Sequence, residues 1–201
     1  MRITVTEFYS NANAADCPKE NRPEYAFIGR SNVGKSSLIN MILNRRIAYT
    51  SSKPGKTTLI NHILINNNWS LVDLPGYGYA KLSKLKRTEI LKMTKEYFIQ
   101  RGAQLSTVFL LIDIRIPPQK IDLEWMEFLV KNNIYFIRVF TKSDKMKQSQ
   151  ILNVIEKYDN HMKMNHWEKV PESIVTSSMK RFGKDEILNK IVELNKLFQN
   201  I

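Results

Sequence analysis

Cysteine is almost missing from these 201 residues, with Cys17 the single example. No internal disulfide can form, and the chain suits a reducing compartment. Also missing is any stretch near the ~20 apolar residues that a membrane span requires. The opening residues 1–7 lack the apolar centre of a secretory signal. These absences set the expectation of a cytoplasmic protein with no membrane span. Proline and glycine number seven each, too few for a low-complexity chain, whereas 43% hydrophobic residues supply a core. Acidic residues are scarce beside basic ones, 19 against 31, for a formal charge of +12. Such a surface attracts polyanions within about a Debye length, ~8 Å at physiological salt, so nucleic acid is the expected partner class. His62, His161, His166 and Cys17 share no metal-ligand spacing, and no nucleophile–base pair is visible, which argues against covalent catalysis.

What is present alternates. Apolar, β-branched runs at 25–29, 60–66, 69–73, 108–114, 134–140 and 174–176 read as six strands. Continuous apolar runs such as 108–114 mark central strands covered on both faces. Asn66, Asn67 and Asn68 tolerate positive φ and make a hairpin of the second and third runs. Amphipathic stretches at 35–43, 82–100, 121–131, 149–158 and 184–198 read as helices. The last places Ile187, Leu188, Ile191, Leu194 and Leu197 on one core-facing stripe. The expectation is an α/β fold in three layers, a mostly parallel six-stranded sheet with one antiparallel edge strand and helices on both faces. Residues 22–201 form one domain, preceded by residues 1–21 as an extension or further edge strand. No heptad seam argues against a monomer.

Four segments carry chemistry. Gly29-Arg30-Ser31-Asn32-Val33-Gly34-Lys35-Ser36 fits the phosphate-loop pattern and lies between a strand and a helix, as that motif must. Its glycines let backbone N–H groups turn toward a phosphate, and the helix N-terminus adds favourable partial charge. Lys35 would meet the β- and γ-phosphates, and the Ser36 hydroxyl would ligate Mg²⁺. Asp73-Leu74-Pro75-Gly76 ends a strand at the same sheet edge, where Asp73 can hold Mg²⁺ through water and the Gly76 amide can sense the γ-phosphate. Thr141-Lys142-Ser143-Asp144 follows another buried strand. Asp144 can accept from both N1–H and the exocyclic amine of guanine, whereas adenine would leave the carboxylate unpaired. The Lys142 stem would cover the base, and Thr176-Ser177-Ser178 can present an amide to the guanine carbonyl. Residues 51–58 form a small, polar loop; within Gly55-Lys56-Thr57-Thr58-Leu59, both Thr57 and Thr58 have the spacing to supply a second hydroxyl to Mg²⁺ in the triphosphate state. GTP and GDP are the implied ligands, in a P-loop NTPase G domain.

Together with Tyr77-Gly78-Tyr79-Ala80 after the aspartate motif, these segments resemble the EngB (YihA/YsxC) GTPases of the Era-like branch. The resemblance runs from about residue 25 to the end. It implies a role in assembling the large ribosomal subunit, effects on cell division and septation, and the large subunit's RNA as partner. It also places the second Mg²⁺ ligand on Thr57. Related Era-like GTPases use an Asn at the Asn32 position to hold a potassium ion, which adds Asn32 to Lys35 and Thr57 as catalytic candidates.

Residues 81–101 suit that partner, with Lys81, Lys84, Lys86, Arg87, Lys92, Lys95 and Arg101 against Glu89 and Glu96, a net of +5. Ras-like enzymes orient the attacking water with a Gln where this chain has Tyr77, so slow intrinsic hydrolysis is expected. Two competing expectations are a small-molecule kinase, opposed by the Thr141–Asp144 motif, and a GTP-binding RNA-assembly scaffold with negligible turnover.

Overall fold

The computed structural model describes residues 2–48, 58–78 and 82–198. The strands are β1 (Val5–Asn11), β2 (Glu24–Gly29), β3 (Ile60–Ile65), β4 (Trp69–Asp73), β5 (Leu105–Asp113), β6 (Phe136–Thr141) and β7 (Ser173–Val175). The helices are α1 (Lys35–Leu43), α2 (Lys84–Arg101), α3 (Lys120–Lys131), α4 (Gln148–Met164) and α5 (Lys184–Phe198). No helix among the described residues is long and apolar enough to cross a membrane.

One sheet holds the strands in the order β1-β3-β4-β2-β5-β6-β7. The pairs from β4 to β7 are parallel, and β3 is antiparallel to both β4 and β1. The sheet has seven strands where the sequence suggests six, and the antiparallel strand sits one place in from the edge. β1 escapes the pattern because an edge strand with largely exposed side chains need not alternate. Asn66, Asn67 and Asn68 connect β3 to β4, with Asn66 and Asn67 at φ 52° and 53°, left-handed space that asparagine tolerates.

Alternation along the central strands divides the core in two. Ala26, Ile28, Val108, Leu110 and Ile112 face α2, α3 and α4, where Phe98, Trp125 and Met162 pack. Tyr25, Phe27, Phe109 and Leu111 face α1 and α5, against Leu38, Ile39, Ile187 and Ile191. Helices therefore cover both faces, as a parallel sheet with two apolar faces requires. α4 runs six residues beyond its expected end, because Ile151, Tyr158 and Met162 extend its buried stripe. On α5, Leu197 is 56% exposed, contrary to the stripe reading. The buried residue there is Asn195, whose Oδ1 accepts from the Tyr25 hydroxyl at 2.7 Å.

Candidate functional site

The strand-to-helix turn after β2 is shaped by two glycines. A Cβ on Gly29 would lie 2.8 Å from the Leu111 carbonyl, so only glycine lets β2 end this close to β5. Gly34 sits at φ 108° and starts α1, and Asn32 at φ 63° also occupies left-handed space. The Lys35 ammonium, carried back over the loop by α1, donates to Asp73 Oδ1 at the end of β4, and both groups are buried. Ser36 is half-buried beside it, while the Asn32 side chain is exposed.

The aspartate loop runs alongside the phosphate loop. Leu74 N–H donates to the Phe27 carbonyl (3.1 Å), Tyr77 N–H to Gly29 (3.1 Å), and Ser31 N–H to Tyr77 (2.8 Å). Residues 73–77 thus extend the β2–β4 ladder past the sheet, carrying Pro75 and Gly76 between those bonds.

From the other side the Thr141–Asp144 segment clasps the same loop. The Thr141 hydroxyl donates to the Val33 carbonyl at 2.6 Å. Lys142, at φ 61°, sends its ammonium 2.7 Å from the Asn32 carbonyl and 2.9 Å from Asp113 Oδ2. Burial disfavours the Asp113 carboxylate, but hydrogen bonds from Arg115 and Lys142 outweigh it and hold the carboxyl at about 2. Asp144 Oδ1 accepts from the Ser177 hydroxyl (2.7 Å), and Ser177 Oγ accepts from Lys180 N–H (3.1 Å). Ser143 N–H donates to the Thr176 carbonyl at 3.1 Å, joining the two segments through their backbones. The expected amide donors of 176–178 are partly engaged: Thr176 N–H bonds Phe140 and Ser177 N–H bonds Phe182.

Of the sequence-derived residues, Gly29–Ser36, Asp73–Gly76, Thr141–Asp144 and Thr176–Ser178 converge at the C-terminal edge of the sheet. Thr58 and Leu59 enter β3 on the same side of the chain, half-buried and exposed respectively. Gly55, Lys56 and Thr57 lie outside the described residues.

Two carboxylates escape a reading of motifs alone. Asp113 is the charged residue that ends an otherwise apolar strand. Asp122 occupies the apolar stripe of α3 with Trp125, Met126 and Leu129, and is 0% exposed. A carboxylate in a stripe is the signal that would find both, since a buried charge needs partners. Asp122 Oδ1 accepts from the Tyr77 hydroxyl at 2.8 Å and lies 3.2 Å from Arg30 Nε. The Tyr77 ring stacks on Trp125 with centroids 5.6 Å apart. Burial raises the Asp122 carboxyl although Tyr77 and Arg30 draw it down; burial and this carboxylate raise the Tyr77 phenol. Arg30 therefore contributes backbone to the phosphate loop while its side chain turns to α3.

Comparisons with known proteins converge on this arrangement. A family model described as a 50S ribosome-binding GTPase matches residues 24–142. A probable GTP-binding protein EngB of Flavobacterium johnsoniae is 53% identical, over 100% of this chain and 96% of its own length. Its counterpart in Bacteroides fragilis is 50% identical over 98% of each. The crystal structure of a probable GTP-binding protein engB superposes with a TM-score of 0.67 at 24% identity, covering 86% of this chain and 98% of that one. Era bound to MgGDPNP and nucleotides 1506–1542 of 16S ribosomal RNA also gives 0.67, at 24% identity over 86% of this chain and 56% of that one, which shows a shared fold. Half-identity over essentially full length, joined to a guanine-nucleotide motif set gathered at one sheet edge, means that the chain belongs to the EngB family of GTP-binding GTPases.

Proposed function

We propose that this chain is a slow, Mg²⁺-dependent GTPase switch in large ribosomal subunit assembly, needed for normal cell division and septation. The observation that carries the reading is the meeting of Lys35, Asp73, Lys142 and Asp144 around one loop. The donor set fits a magnesium–nucleotide complex: a hydroxyl at Ser36, a carboxylate at Asp73, and a glycine-shaped loop that a Cβ would fill. Mg²⁺, when bound, neutralises charge on the β- and γ-phosphates. Lys35 would exchange Asp73 for phosphate oxygens, and the amides of Asn32, Gly34, Lys35 and Ser36 would hold those oxygens, since Ser31 and Val33 N–H already bond Tyr77 and Arg30. The Gly76 amide senses the γ-phosphate. Thr57 supplies the second hydroxyl to the metal, flanked by Gly55, Lys56, Thr58 and Leu59. Asp144, steadied by Ser177, reads the guanine edge, and Ser178 is the amide best suited to its carbonyl.

Tyr77 points its hydroxyl at Asp122 and away from the loop. It offers no side chain to orient water, which supports slow turnover and keeps a scaffold that barely hydrolyses GTP as the second reading. Asn32 holding K⁺ is the compensating device. The partner reading draws on the +12 charge and on α2, whose Lys84, Lys86, Arg87 and Lys92 are exposed. Arg101 is not part of that face: it is buried against Glu24. Lys81 lies outside the described residues.

GTP turnover measured in K⁺ and in Na⁺, with and without large ribosomal subunits, tests the whole reading. Stimulation by subunits is expected, with K⁺ faster than Na⁺. Tight GTP binding with no turnover under any condition would select the scaffold.

A further inference from the structure

Beside the guanine-reading segments lies a groove of 580 Å³ between the end of α1 and the turn that follows β7. Arg45, Arg46 and Arg181 line it and no carboxylate does. All three arginines are exposed. Three like charges at one groove repel one another, so the arrangement costs free energy unless an anion spans them. Lys184, three residues beyond Arg181, has its ammonium drawn down first by burial and then by the Arg181 charge, with Asp185 acting the other way.

Both walls are fixed. The Asn40 amide side chain holds the chain leaving α1: its Oδ1 accepts from Ile47 and Ala48 N–H at 2.9 Å each, and its Nδ2 donates to the Ala48 carbonyl at 2.8 Å. Across the groove, Ser177 and Phe182 exchange backbone bonds of 3.1 and 3.0 Å, closing residues 178–181 into a tight turn. Gly183 anchors that turn at φ 77°, where any Cβ would lie 2.2 Å from the Val175 carbonyl. Arg181 donates to Asn44 Oδ1 and ties one wall to the other. The turn displays Phe182, 53% exposed, next to Arg181. Three exposed arginines along one groove, with an exposed aromatic residue next in sequence to one of them, match single-stranded nucleic acid, whose backbone would meet the charges and whose unstacked bases could meet the ring.

We infer that this groove, together with the turn that carries Phe182, is a docking site for single-stranded ribosomal RNA. The inference rests on the ribosomal reading above and assigns it a second contact, apart from α2. Arginine forks suit phosphodiester oxygens, and rigid walls mean that little ordering entropy is lost on binding.

The test measures binding of the full chain to a twelve-nucleotide uridine RNA and to purified large subunits across a salt series. Arg45→Gln, Arg46→Gln and Arg181→Gln are combined in one variant, with Phe182→Ala as a second. GTP affinity within twofold of the parent shows that each variant is folded. The triple variant should bind RNA about 10–100-fold more weakly, with a salt slope reduced by roughly 2, near 0.7 per lost phosphate contact. Phe182→Ala should lose roughly 5–100-fold and keep the parent slope, because stacking releases no counterions. Unchanged RNA binding in the triple variant overturns the groove while leaving the ribosomal reading intact. Loss on the subunit with unchanged binding to the oligonucleotide would place a protein contact there and also overturn it. A parent chain that binds neither probe refutes the groove and the ribosomal reading together.

Discussion

Asp122 is a buried carboxylate that meets two side chains from different functional segments: it accepts from the Tyr77 hydroxyl and pairs by charge with Arg30 of the phosphate loop, whose Nε lies 3.2 Å away. Removing one of the two leaves the other beside the carboxylate. Removing the acceptor strands a guanidinium and a phenol in the core. Tyr77→Phe is therefore expected to cost about 1–2 kcal/mol of stability, and Asp122→Ala about 3 kcal/mol or more. Urea unfolding checks both, and the double variant should cost clearly less than the sum, since the two side chains share one bond. Equal additivity would show that the bond contributes nothing. This cluster marks the boundary of what was legible in the sequence. The loop glycines, Lys35, Asp73 and Asp144 are visible because their spacing answers to a ligand. Asp122 answers to the protein's interior, and nothing local in the sequence says which donors reach it. Ser177 is intermediate: its place after a strand is readable, but its hydroxyl's bond to Asp144 depends on how the 177–183 turn folds back.

β2 and β5 approach each other so closely at the phosphate loop that the element itself depends on one missing atom. Gly29→Ala would place a methyl 2.8 Å from the Leu111 carbonyl and 2.9 Å from its Cβ. Contacts that short force backbone apart, so the loop should move before the sheet fails. GTP affinity is expected to fall roughly tenfold or more, equivalent to ~1.4 kcal/mol, with secondary structure retained. Calorimetric titration and circular dichroism measure the two effects. Helices and central strands were readable because burial on one or both faces imposes a period. The exceptions share a cause. β1 gains its place by pairing with β3, not by burying a face, and α4 continues because Met162 finds a core that local sequence does not reveal. Leu197 lies two residues past Asn195, the last α5 residue that is buried against the sheet.

On the scale of the whole molecule, the end of the sheet opposite the nucleotide is held by a second buried charge cluster. Glu24 accepts from Tyr97 at 2.7 Å and from Arg101 Nε at 2.9 Å, with His62 Nε2 3.2 Å away. It joins β2 and β3 to α2, and Arg101 also reaches the Pro18 carbonyl at 2.6 Å. Burial raises the Glu24 carboxyl, but hydrogen bonds from His62 and Arg101 prevail and set it below its ordinary 4.5. A depressed carboxyl stabilises the fold above the unfolded value and loses that contribution as pH falls through the folded one. Stability should therefore drop as pH passes below about 4.5, and Glu24→Gln should flatten the drop while lowering stability at neutral pH. Unfolding midpoints at a series of pH values decide it; an unflattened acid limb would assign the loss to other carboxylates.

The two margins of the sheet have a consequence of a different kind. One margin, β7, is three residues long; the other, β1, shifts register between Val5 and Glu7 and presents the Glu7 carboxylate to water. Open backbone rows invite strands from neighbouring molecules to add on, and short, irregular or charged margins refuse them. The same chain that carries many cations toward a polyanion thus offers its own copies a poor template for cross-molecular sheet growth.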